Sequence, residues 1–350
     1  MLQTRRVLVF LILTFSLTWG FELLVALTIG QAAFYQTGMN PLGMFFPACA
    51  ALFLQISIFK DSPIYFRTYT ARPRWIFYSF FLVTALYSLP TLLVLTTSVR
   101  PMILQGIGGI IVMLWTLLLL FLHGQCSQES LQKAGLQLGD KDRSVRFILG
   151  LALFLLAQSL LNWVFGLGKF PGVKEAIAGI PVPSGLYPLG LVIFFLISLI
   201  GTPLSGLAVV FGEEYAWRGY LQNELVKLGN QRGVFLVGLI WGIWHFPVIL
   251  SGVHTYQPTL PGFGLAMIFF VLAGFVWGYA VLKIGSIWVA VFMHGVLNSL
   301  YAFGLTYLIY PDNKVFSFGL GIYGLLFLAV VVGLILRDPV WRGQPLPTEK

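Results

Sequence analysis

Two adjacent carboxylates and an arginine stand in the segment GEEYAWRGY, residues 212–220, of a chain that is otherwise largely apolar. Glu214 and Arg218 are spaced i,i+4, which on a helix places them on one face within pairing distance. Glu213 points about 100° away from Glu214, so the two acids cannot share the arginine equally. One acid can be held by Arg218 while the other handles a proton. Two further segments carry polar groups of the same kind. WGIWHFP, residues 241–247, contains His245, and FMHGVLNSL, residues 292–300, places His294 and Asn298 at i,i+4 on one helix face. A partly desolvated carboxylate can act as a general base toward water. A neutral imidazole can orient that water or ligate a metal, and a second imidazole with an amide can donate hydrogen bonds to the oxyanion formed at a scissile carbonyl. The chemistry this set suggests is hydrolysis that needs no nucleophilic Ser or Cys.

The elements that must position these groups are membrane spans. The chain is 58% hydrophobic and 9% charged, whereas soluble domains carry about 25% charged residues. Apolar runs of at least ~18 residues, the length that crosses a hydrocarbon core, recur at roughly 7–29, 42–59, 76–98, 102–122, 147–166, 187–211, 233–250, 262–282, 287–309 and 317–336. The fold class expected is all-α, a polytopic transmembrane helical bundle of about ten spans. An outer-membrane barrel is excluded, because its strands would be short and alternating. Arg5 and Arg6 precede a first apolar stretch too long for an ordinary signal core, so it reads as a retained span.

Depth depends on the sixth span. LIGTPLSG, residues 199–206, carries a Gly and a Pro able to break it, and a following helix from about Pro203 to Lys227 would put Glu213 ~20 Å along the axis from Lys227. A span ending at Phe211 would instead leave the acids at the surface; the break favours the buried version. His245 and His294 lie ~18 Å and ~11 Å along their own helices from the same side.

The net charge of +9 raises nucleic acid as a partner, but its distribution argues against that. With ten spans and a cytoplasmic N-terminus, 17 of the 21 basic residues fall inside, leaving Arg100, Lys169, Lys174 and Lys314 outside. They orient the protein by the positive-inside bias and can touch anionic headgroups. Both termini are expected in the cytoplasm. The first four spans hold almost nothing ionisable beyond Glu22, so the chain divides into an N-terminal four-helix membrane region, 1–146, and a working region, 147–350. Cys49 and Cys126 lie at different levels and form neither a disulfide framework nor a metal site. Short ends and loops suggest a prokaryotic plasma membrane.

The stretches EEYAWR from Glu213 to Arg218, WGIWH ending at His245, and HGVLN from His294 to Asn298 resemble the three motifs of the CPBP family, the CAAX prenyl endopeptidase and bacteriocin-processing (Abi) proteins. Those motifs are EExxxR, FxxxH and Hxxx(N/D), in that order on successive helices, and the likeness covers roughly residues 147–336. Trp241 stands where the second motif usually has Phe. The resemblance implies an intramembrane endopeptidase cutting near the cytoplasmic membrane face. Glu213 would activate water, His245 would help hold it, Glu214 and Arg218 would support the site, and His294 with Asn298 would stabilise the oxyanion. No cofactor is obligatory on this reading. A divalent metal such as zinc is the open alternative, with Glu213, His245 and His294 as candidate ligands. The partners implied are membrane lipid and a peptide or lipidated-protein substrate, not nucleic acid; self-association is left open.

Each motif taken singly has a plainer explanation. A Glu–Arg pair can be a neutralised charge at a helix end, and a lone His a packing residue. Their common order and depth are what point to chemistry. Glu22 reads as a structural acid paired inside the bundle or facing an outer cavity, His123 and His254 carry no assigned role, and GIGGII, residues 106–111, reads as a close helix contact. A proton-coupled transporter would need a second broken polar helix in the first half, which residues 1–146 lack, and a non-catalytic scaffold or immunity protein would not need these residues retained.

Overall fold

The computed structural model describes residues 2–97, 100–170, 183–252, 256–304 and 308–343. His254, Lys174, Lys350 and most of the loop expected at 170–185 lie outside them. The protein is an all-helical membrane bundle, with one two-residue antiparallel pairing of Gly168–Lys169 and Tyr310–Pro311 among the described residues. Six helices are long and apolar enough to cross a membrane, and Leu42–Ile58, Ile287–Phe303 and Ile322–Ile335 are shorter apolar ones. A bundle of this kind follows from the solvent, since only helices satisfy every backbone polar group within one segment.

In chain order the principal helices are α1 (Leu2–Thr28), α2 (Leu42–Phe53), α3 (Arg74–Thr96), α4 (Pro101–Gly124), α5 (Lys141–Val164), α6 (Tyr187–Leu196), α7 (Leu207–Glu214), α8 (Asn230–Trp244), α9 (Phe246–Leu250), α10 (Leu260–Ile284), α11 (Ile287–Phe303) and α12 (Ile322–Ile335). On α3, Leu82, Leu86, Leu89 and Leu93 are exposed at helical spacing while Phe80, Val83 and Tyr87 are buried. That pattern gives one face to lipid and the other to the core.

The sixth span is broken as its Pro and Gly require. Below α6 the helix widens into a π turn over Ile197–Gly201 and tightens again over Thr202–Ser205. Pro203 has no N–H to offer the carbonyl one turn back, and the Ser299 hydroxyl from α11 caps the Ser198 carbonyl instead. Gly206 then leaves helical geometry (φ −91°, ψ 13°) and α7 begins. A side chain at Gly295 would come within 2.9 Å of Pro203, so this glycine lets the broken segment lie directly on α11 beside His294.

Helix α7 continues as a π turn over Tyr215–Leu221 and a last helical turn, Gln222–Leu225. Single π turns inside helices recur at functional sites. Its backbone meets α2 without intervening side chains, since a Cβ on Gly212 would lie 2.3 Å from the Met44 carbonyl oxygen. At one end of the bundle Arg6 pairs with Asp61 and Glu224, and Lys227 closes on Glu224 at 2.6 Å. The N-terminal helices therefore pack directly on the acidic helix, with Phe10 of α1 edge-on to Trp217 at 6.0 Å between ring centres.

Candidate active site

Glu213, Glu214 and Arg218 are buried to within 1% exposure, the condition of the deeper of the two placements weighed from the sequence. They separate as the 100° offset requires. Glu214 Oε1 accepts from Arg218 Nη1 at 3.0 Å and from His294 Nδ1 at 2.8 Å. Glu213 Oε2 accepts from the indole N–H groups of Trp241 at 2.7 Å and Trp217 at 3.3 Å. One acid is thus paired with a cation and an imidazole, and the other is only hydrogen-bonded, by two neutral donors. The Trp241 ring also lies under the Arg218 guanidinium, 4.3 Å from its centre, a contact worth about 2 kcal/mol when desolvated. A single tryptophan holds both acids in register.

The two histidines come to this layer from α8 and α11. His245 ends α8, where Pro247 stops the regular helix, and its Nδ1 bonds the Trp241 carbonyl at 2.8 Å. The ring stacks on Phe270 of α10 at 4.1 Å between centres. Helix α10 reaches α8 this closely through Gly238 and Gly274, where a Cβ on Gly274 would lie 2.8 Å from Gly238 Cα. With Nδ1 donating, Nε2 of a neutral His245 ring is an acceptor. Asn298 stands one turn beyond His294 on α11, exposed to the space between the helices.

That space is two clefts that share three lining residues. One of about 300 Å³ is lined by Glu22, Asn40, Glu213, Trp244, His245, His294 and Asn298, among others. The other, of about 260 Å³, runs under Phe269, Phe270, Tyr301 and Leu320 and shares His245, His294 and Asn298. Cavities of this size suit a short extended segment. A third cavity of about 440 Å³, near Pro63, Gln137 and Ser286 on the other side of the acids, is lined by Arg218 and Gln222. Nε and Nη2 of Arg218 have no hydrogen-bond partner among the described residues.

Five of the six residues singled out in the sequence are joined by these bonds and clefts to Glu213, and none lies apart. The three candidate metal ligands are arranged as follows. Among the described residues no three His, Cys, Asp or Glu side chains are grouped as ligands, and Glu213, His245 and His294 each have an atom committed elsewhere. The sequence reading missed Trp217 and the donor role of Trp241, although Trp217 lies four residues after Glu213; of its two placements for Glu22, the structure has the acid lining a cavity.

Residues 188–300 match the family described as Type II CAAX prenyl endopeptidase Rce1-like. The segment that carries all six residues is Rce1-like. This bears out the CPBP resemblance read from the three motifs, and the likeness is to a family of proteases. The Rce1-like segment is narrower than the likeness drawn from the motifs, and leaves out α1 to α5. No curated protein and no solved structure matches the chain.

Proposed function

We propose that this protein is an intramembrane endopeptidase in which Glu213 activates water without an obligatory metal. Glu213 takes a proton from a water held by His245, the resulting hydroxide adds to the scissile carbonyl, and the proton passes to the leaving nitrogen as the C–N bond breaks. His294, as an imidazolium donating from Nε2, and Asn298 hold the oxyanion. Glu214 and Arg218 fix the His294 ring through Nδ1. The observation that carries this reading is the unequal treatment of the two acids: one is locked to a cation and an imidazole, the other held by two indoles at the wall of a cleft that His245, His294 and Asn298 share.

The clefts are walled by Asn40, Tyr301 and Leu320 and lie away from the Arg6–Glu224 cluster. With that basic end in the cytoplasm, a prokaryotic plasma-membrane protein would receive its peptide or lipidated-protein substrate from the outer leaflet. This differs from the cytoplasmic access expected from the motifs. The test compares membrane and released peptide termini by mass spectrometry between cells with the wild-type protein and cells with Glu213→Gln at matched expression. Termini lost in the variant, and regenerated by purified wild-type protein at least about a hundredfold faster than by Glu213→Gln, are the expected result. Identical termini in both strains would sink the reading.

A further inference from the structure

One buried acid in the cleft takes no part in the chemistry above. Glu22, on α1, is 3% exposed and accepts one hydrogen bond on each oxygen, from Tyr35 at 3.1 Å and from Gln31 at 3.2 Å. Both donors are neutral, and no Lys, Arg or His pairs with Glu22 among the described residues. Each carboxylate oxygen keeps a lone pair. The cleft it shares with Glu213 is lined, among the described residues, by two acids, two histidines and no lysine or arginine. A carboxylate at membrane depth is costly unless something answers its charge.

The backbone leaves Glu22 open. Gly43 faces it from α2, and a Cβ there would sit 3.7 Å from Oε1, in the space beside the carboxylate. Glu22 is also close to the reacting groups. Trp244, next to His245, donates to Thr18 at 3.0 Å, and Trp19 donates to the Trp244 carbonyl at 3.2 Å. Thr18 is one turn from Glu22, about 6 Å along α1. Thr18 and Glu22 line the same cleft as Glu213 and His245, so a segment seated at the acids can present a side chain to Glu22.

We propose that Glu22 is the cation-selecting subsite of this cleft and takes a lysine or arginine side chain of the segment presented to Glu213. The inference rests on the endopeptidase reading for the identity of the guest, but the binding it describes does not require cleavage. Gln31 and Tyr35 hold the carboxylate in place, and the incoming ammonium or guanidinium occupies the remaining lone pairs. The substrate class is therefore a peptide with a basic residue close to the scissile bond.

The test uses the full chain in nanodiscs, titrated with N-acetyl-arginine amide and with its neutral isostere N-acetyl-citrulline amide, followed by tryptophan fluorescence. Wild type should bind the arginine probe at least about tenfold more tightly, as expected for hydrogen bonds to a buried charge. Glu22→Gln should bring the two affinities together while leaving that for citrulline unchanged, and Gly43→Val should weaken both. Glu213→Gln should abolish turnover and keep the preference, so failure of the catalytic reading is seen separately. Equal affinities in wild type, no binding of the arginine probe, or a preference that survives Glu22→Gln would overturn the proposal.

Discussion

Helices α7, α8 and α11 form one wall of the cleft and α1 with α2 the other, and they hold their polar groups differently. On the first wall each acid is bound both within its own helix and from another: Glu214 by Arg218 and by His294 of α11, Glu213 by Trp217 and by Trp241 of α8. On the second, one acid is held by Gln31 and Tyr35 of the short helix Gln31–Gln36 that follows its own. The first wall lies inside the Rce1-like segment and the second outside it. A network shared between helices is fixed to fractions of an ångström by all its members, which suits bond breaking. An acid held by a short local helix can change without disturbing that network, which suits choice of substrate.

The sharpest way to break this arrangement is to separate the walls. Gly212→Ala forces a methyl to within 2.3 Å of the Met44 carbonyl oxygen, and α2 must move off α7. Stability should fall by about 3 kcal/mol, the upper range for overpacking, and cleavage should be lost, as read by thermal unfolding and turnover of the purified protein. Normal unfolding with normal turnover would show that the two walls need not touch.

A smaller effect comes from altering the first wall alone. Trp241→Phe keeps a ring beneath Arg218 but removes the 2.7 Å bond to Glu213, and the lost bond to a charged group should lower turnover about tenfold to a hundredfold. The preference for the arginine probe should stay unchanged. A loss of preference at unchanged turnover would reverse the roles given to the walls. The smallest expected effect is none: a chelator added to purified protein should leave turnover as it was, and loss restored by zinc would place a metal on the first wall.

The sequence exposed the first wall more readily than the second for a physical reason. Glu213, Glu214, Arg218, His245 and His294 are ionisable groups in apolar spans, and their cost makes them conspicuous. The break near Pro203 and Gly206 was legible from residue type, and it set the depth of the acids. Trp217 and Trp241 were not legible as donors, because tryptophan is common in membrane helices for its ring alone. The approach of Gly212 to Met44 and the π turn over Tyr215–Leu221 depend on contacts between distant segments. Glu22 is a lone acid in its own region, and its share in the cleft appears only once α1 is packed beside Trp244.

The buried Glu214–Arg218 pair has a consequence for the membrane itself. His294 lines the clefts on one side, Arg218 lines the 440 Å³ cavity on the other, and Glu214 is hydrogen-bonded to both. Between these cavities stand the ion-paired Arg218 and Glu214 together with His294, and a proton crossing from one cavity to the other would have to pass this layer. Liposomes carrying Arg218→Ala should lose a pH gradient faster than those with wild type, and equal decay would assign the seal to the surrounding aromatic rings. The side chains that steady a histidine would then also be the ones that keep the two cavities apart.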